Sequence, residues 1–262
     1  MEQWFFDGTF TGLLTCVFRA FQFKQFNIEV IQKNTIDQQF GLFLDPIEIF
    51  SNDIQAKRVW DALQQKVSRS TIRNIYCAFL SEDKIAIQHI FNLCIYIFNH
   101  TLNLEKNYNH PSVLLVAQWA KKVGREKHRM EAFVRFKKTQ QNIYIAMIHP
   151  DFNVLPIILN HFRKRYQDQQ WLIYDDLRKI GIYYDLNQVH EIRMNVDHSE
   201  NHSTLNHQHL NIEMDEDELK YDELWKAYFK SVNIKERQNL RLHIQYVPKR
   251  YWQYLNEKQD FK

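Results

Sequence analysis

Cysteine is scarce: Cys16, Cys77 and Cys94 are widely spaced and form no CxxC pair. An odd, dispersed set supports neither a disulfide framework nor a thiolate zinc site, and it fits a reducing cytoplasm. Glycine and proline are also few, five of each in 262 residues, which leaves little material for a flexible linker. A single compact domain over 1–262 is therefore expected, burying roughly three quarters of its unfolded surface. The opening MEQWFFDGTF has no basic region followed by an apolar stretch, so no secretory signal is read. Long apolar runs are missing as well. The richest, Ile85 to Leu104, is interrupted by Gln88, His89, Asn92, Asn99 and His100 and reads as a core helix, with no membrane partner implied. HExxH, P-loop, GxSxG and GxGxxG patterns are all absent, so no cofactor is implied and an enzyme reading has no motif to start from.

What is present is uneven charge. The net charge is only +3, but Lys121 to Lys138 holds eight Lys/Arg against two Glu, and Lys226 to Arg250 holds seven against one. Between them, Glu213 to Glu223 holds seven acids against one Lys. Basic stretches of this kind steer anionic partners, and the acidic run either covers them or is simply solvated.

Periodicity predicts an α+β fold: a helical N-terminal half packed with a small, mainly antiparallel sheet and C-terminal helices. Trp4 to Phe6 is a short apolar run closed by the turn residues Asp7-Gly8, with Thr9 placed to cap a helix. Phe10, Leu13, Leu14, Val17, Phe18 and Phe21 then form one stripe of a 3.6-residue period. A strand is expected over 26–31 and helices near 52–68, 70–80, 83–102 and 111–124, the last with Pro111 in its opening turn. β-type runs follow at 130–136 and 142–148, then a helix at 154–166 and a hairpin pairing Trp171–Tyr174 with Ile180–Tyr184. A strand over 189–196 completes the sheet. Residues 197–212 read as a polar loop or insertion, and the stripe Tyr221, Leu224, Trp225, Tyr228, Phe229 and Val232 marks a final helix from about 216.

Several residue groups invite a chemical reading and a plainer one. His198, His202, His207 and His209 in the polar loop lack a scaffold that would fix tetrahedral geometry, so solvation or adventitious metal binding accounts for them. Asp175, Asp176 and Asp185 could gather around Mg²⁺, although turn formation explains the same residues. His110-Pro111-Ser112 resembles a short element of uracil-DNA glycosylases, but the accompanying Gly-x-Asp-Pro element is missing and a helix start is the preferred reading. If a helix ends near Gly124 and a strand starts near Met130, then Arg125, Lys127, His128 and Arg129 form a basic junction followed by Arg135. Guanidinium groups match phosphate oxygens, so phosphate contact is its natural use, beside the alternative of a solvated turn. Arg237, Arg241, Lys249 and Arg250 form a second basic stretch interleaved with Tyr251 and Trp252. Rings there can stack on unpaired bases or anchor the tail on the core.

Several blocks resemble a bacterial family labelled probable DNA metabolism protein. They are Phe6-Asp7-Gly8-Thr9-Phe10 with Gly12-Leu13-Leu14, Gly124-Arg125-Glu126-Lys127-His128-Arg129-Met130 to Phe136, His149-Pro150-Asp151, and Trp171-Leu172-Ile173-Tyr174-Asp175. Tyr183-Tyr184-Asp185, Val232-Asn233-Ile234-Lys235-Glu236-Arg237 with Asn239, and Pro248-Lys249-Arg250-Tyr251-Trp252 extend the resemblance over nearly the whole chain. It implies a gene neighbour of DNA-modifying radical S-adenosylmethionine type and, in relatives, fusion to a uracil-DNA-glycosylase-like domain. That domain has no counterpart after Trp252, so glycosylase activity is not carried over.

The leading expectation is an accessory protein of DNA metabolism or repair that binds DNA, or a DNA-acting partner enzyme. Its binding set would be Arg125, Lys127, His128, Arg129, Arg135, Arg237, Arg241, Lys249 and Arg250. A nucleic-acid-processing enzyme using His128 or His149 with Glu126 or Asp151 is the alternative. A protein-interaction module without DNA contact, marked by an exposed apolar patch, is a second.

Overall fold

In the computed structural model, which describes residues 2–33, 47–100, 105–193, 215, 217–232, 239–255 and 258, Thr9 starts the first helix as its position predicts. Its hydroxyl accepts the Gly12 amide at 2.9 Å, after a turn in which Gly8 takes a positive φ of 80° that a side chain would disfavour. Strand β1 (Glu2–Phe6) leads into helix α1 (Phe10–Phe23), which buries Leu13, Leu14, Val17 and Ala20. Strand β2 (Ile28–Gln32) and strand β3 (Ile47–Ile49) flank β1. Helices α2 (Asp53–Lys66), α3 (Arg69–Phe79) and α4 (Lys84–Asn99) follow, and each starts on a capping side chain, Asn52, Ser68 and Asp83 respectively.

The fold is α+β, but the small sheet in the N-terminal half is a correction. Both β2 and β3 run parallel to β1. Periodicity shows that a strand exists; its direction follows from the connection, and here α1 is the crossover that a parallel pair needs. The strand expected over 26–31 runs from Ile28 to Gln32. Trp4, Phe6, Leu13, Val17, Leu63, Ile90 and Phe91 belong to one core cluster, so the run expected to be a core helix is one. Among the described residues no helix is long and apolar enough to cross a membrane.

Helix α5 (Pro111–Phe133) carries the second correction. The expected break near Gly124 and the strand from Met130 do not occur. Val116, Ala120, Val123, Glu126 and Met130 are all buried, and their spacing is a single helical period passing straight through Gly124. Glu126 hides the pattern, because a charged residue at a buried position reads as surface. A mid-helix glycine costs only about 1 kcal/mol and does not by itself end a helix.

The chain divides into two compact units, Met1–Arg125 and Glu126–Lys262. The second holds strands β4 (Lys137–Lys138), β5 (Tyr144–Ile148), β6 (Trp171–Asp175), β7 (Ile180–Tyr184) and β8 (Val189–Arg193), with helix α6 (Leu155–Arg165) between β5 and β6. Neighbours follow chain order, and all pairs are antiparallel except β5 with β6, which α6 joins as a parallel crossover. The predicted hairpin is present, with Trp171 opposite Tyr184. Helix α7 (Glu218–Val232), helix α8 (Leu240–Tyr246) and a 3-10 helix (Lys249–Tyr254) close the chain. The polar loop at 197–212, with its four histidines, lies outside the described residues.

Candidate nucleic-acid interface

The family-like blocks at Glu126, Asp151 and Arg250-Tyr251 meet around one carboxylate. Glu126 is 1% exposed. Its Oε1 accepts the Asp151 backbone amide at 3.1 Å, and its Oε2 accepts the Tyr251 hydroxyl at 2.5 Å and an Arg250 guanidinium N–H at 3.2 Å. Arg129 completes the cluster, 3.5 Å from the same oxygen and over the Tyr251 ring. Arg250 also pairs with the Asp151 carboxylate. The chain of contacts continues to Arg178, whose guanidinium donates to the carbonyls of Pro150 and Asp151 and to the fully buried Asp175 at 2.9 Å. Partial burial works against the Arg250 charge, yet the Tyr251 hydroxyl and the two carboxylates outweigh it and raise its pKa. Burial, reinforced by Glu126, pushes the Tyr251 phenol up as well.

This network sorts the expected binding residues. Arg129 and Arg250 are both paired with the buried Glu126, and Arg250 also with the exposed Asp151. Lys127 pairs with Glu131 one helical turn on, and Arg135 donates to the Ala132 and Val134 carbonyls. Arg125 and His128 are exposed on α5 with no hydrogen bond or ion pair among the described residues, and Arg241 is exposed on α8 in the same state. Lys249 is exposed with its ammonium 5.8 Å from the Trp252 ring centre. Arg237 lies outside the described residues.

Sequence reasoning overlooked two residues once it broke the helix at Gly124. In a continuous α5, Lys121, Lys122, Arg125 and His128 fall within an arc of about 120° over about 10 Å of axis, opposite the buried stripe. Lys121 and Lys122 are exposed too, with no carboxylate partner among the described residues. Lys122 lies 3.7 Å from the Trp119 ring centre, which steadies its stem without neutralising it. The signal that finds these residues is the helical period itself, once Glu126 is allowed to be a core residue.

The carboxylates offered to a histidine base are held by other groups. Glu126 and Asp151 are bound as above, and the nearest ion-pair partner of His149 is Asp176, 3.9 Å away. Among the described residues no three His, Cys, Asp or Glu side chains are placed to hold a metal ion. Asp175 closes a turn by accepting the Leu177 and Arg178 amides, and Asp185 does the same with Asn187 and Gln188. His110 stacks on Tyr96 with ring centres 3.9 Å apart and accepts the Ser112 amide, so the His-Pro-Ser element is a helix start.

Residues 84–257 match a family described as a domain of unknown function, DUF4130, and the chain belongs to that family. No curated protein and no solved structure matches it.

Proposed function

We propose that this protein is a cytoplasmic accessory factor of DNA metabolism or repair that holds DNA phosphates on the exposed basic face of α5. The observation that carries the reading is that Lys121, Lys122, Arg125 and His128 share one side of helix α5 and have no carboxylate among the described residues to satisfy them. A guanidinium or ammonium without a carboxylate partner meets phosphate without first breaking an ion pair, whereas Arg129 and Arg250 would have to abandon Glu126. The resemblance to probable DNA metabolism proteins supports the choice of DNA among polyanions. It also supplies a partner, a DNA-modifying radical S-adenosylmethionine enzyme to which the accessory factor would present its substrate.

Fluorescence anisotropy of a labelled 20-base-pair duplex, titrated at several salt concentrations, tests the reading. Contacts by Lys121, Lys122 and Arg125 should make the log of affinity fall with log salt with a slope of about −2.7, at about 0.9 per contact. Absence of binding at low salt, or binding indifferent to salt, would reject it. Adding the purified radical enzyme should increase the DNA held at a given salt concentration.

A further inference from the structure

Helix α7 has an apolar stripe that it leaves in the open. Tyr221, Leu224, Trp225 and Tyr228 recur at the i, i+3, i+4, i+7 spacing that ordinarily marks a buried face, yet they are 61%, 65%, 40% and 57% exposed. They line a groove of about 980 Å³ within the second unit, together with Phe136 and Tyr166. That is near the upper end of the range that ligand sites occupy, about 300–1,000 Å³, and it leaves room for more than one flat ring. Trp225 and Tyr228 stand with ring centres 5.7 Å apart and planes inclined by 34°.

Three carboxylates, Asp215, Asp217 and Asp222, and three cations, Arg135, Lys138 and Arg165, line this groove. Each of the three carboxylates that line it meets a lysine: Asp215 with Lys138 at 2.9 Å, Asp222 with Lys137 at 3.4 Å, and Asp217 with Lys220 at 2.7 Å. Arg165 lines the groove as well, 5.7 Å from the Tyr166 ring centre. The same turn of α6 carries Arg163 and Lys164, and all three cations are exposed with no carboxylate partner among the described residues. The walls therefore offer π faces while one edge keeps positive charge. An apolar peptide would use the rings and leave the cations idle; a polyanion with flat unstacked groups would use both.

The geometry points to a binding site for unpaired nucleotides in this groove, with bases stacked on Trp225 and Tyr228 and phosphates running past Arg165. In a duplex the bases are stacked on one another and cannot reach the rings, so the occupant is a single strand or a locally opened one. The site shares no residue with the basic face of α5, and neither reading requires the other.

The test titrates the full chain with a fluorescein-labelled oligothymidylate 12-mer, following anisotropy and intrinsic tryptophan fluorescence. The strand should bind and quench tryptophan emission. Trp225→Ala and Tyr228→Ala should each weaken binding by about 5- to 100-fold, while Trp225→Phe keeps most of it. Arg165→Ala should reduce the salt slope by about 0.7. These are surface side chains, and unchanged circular dichroism would establish that each variant is folded. A Lys121→Ala/Arg125→Ala variant should bind the 12-mer as the wild type does, which separates failure here from failure of the duplex reading. Binding that survives Trp225→Ala and Tyr228→Ala, or that falls only with the α5 variant, would overturn the proposal. So would self-association of the wild type in sedimentation that Trp225→Ala abolishes, since a second copy would then be the occupant.

Discussion

Glu126 has a backbone amide, a phenol and two guanidinium groups around a side chain that water scarcely reaches. Removing such a carboxylate leaves its donors partly stranded, although Arg129 and Arg250 keep enough exposure to recover some hydration. Glu126→Ala should therefore cost about 2–4 kcal/mol in urea unfolding, and a loss below 1 kcal/mol would mean that the cluster is incidental. Two glycines make an opposed pair. A Cβ on Gly12 would lie 2.3 Å from the Asp7 carboxylate, which Ser51 and Thr9 hold in place, so Gly12→Ala should destabilise by about 1–3 kcal/mol. A Cβ on Gly124 would meet nothing within 4 Å, so Gly124→Ala should stabilise α5 by about 0.5–1 kcal/mol. Thermal melts of the two variants should shift in opposite directions. The residues legible in the sequence were those with local jobs, Thr9 as a cap and Pro111 as a helix start. Glu126 was illegible because Asp151 and Tyr251 lie 25 and 125 positions away.

At the scale of elements, the sequence located nearly every helix, because an apolar stripe at 3.6 residues is a property of the segment alone. It also located the β6–β7 hairpin, whose partners are neighbours in the chain. It missed the parallel directions of β1 with β2 and β3 and of β5 with β6, which depend on crossovers that strand composition does not encode. The α5 error carries the most functional consequence. Read as a junction after a helix ending near Gly124, 125–129 looks like a phosphate-binding or solvated basic turn; as one helix, 121–130 separates into an exposed cationic face and a buried face holding Glu126. Helix α7 shows the converse, since its stripe was legible as helical while its exposure was not.

For the whole molecule, the family match begins at residue 84, the first residue of α4, inside the first unit. Ile87, Ile90, Phe91 and Cys94 of α4 lie in one cluster with Trp4, Phe6, Leu13 and Val17. A fragment covering 84–257 would uncover that face and should bind a hydrophobic dye and elute as aggregate, whereas the full chain should not. A monomeric, dye-silent fragment would show that the shared segment folds without β1 and α1.

The central claim is that the cations free of carboxylates, rather than the paired ones, hold DNA. It is tested most directly by the salt slope of duplex affinity, compared among the wild type, Lys121→Ala/Arg125→Ala and Arg250→Ala. The double variant should lose about 1.8 from the slope, at about 0.9 per phosphate contact, while Arg250→Ala keeps the wild-type value. An unchanged slope in the double variant, or a flattened one in Arg250→Ala, would contradict the account.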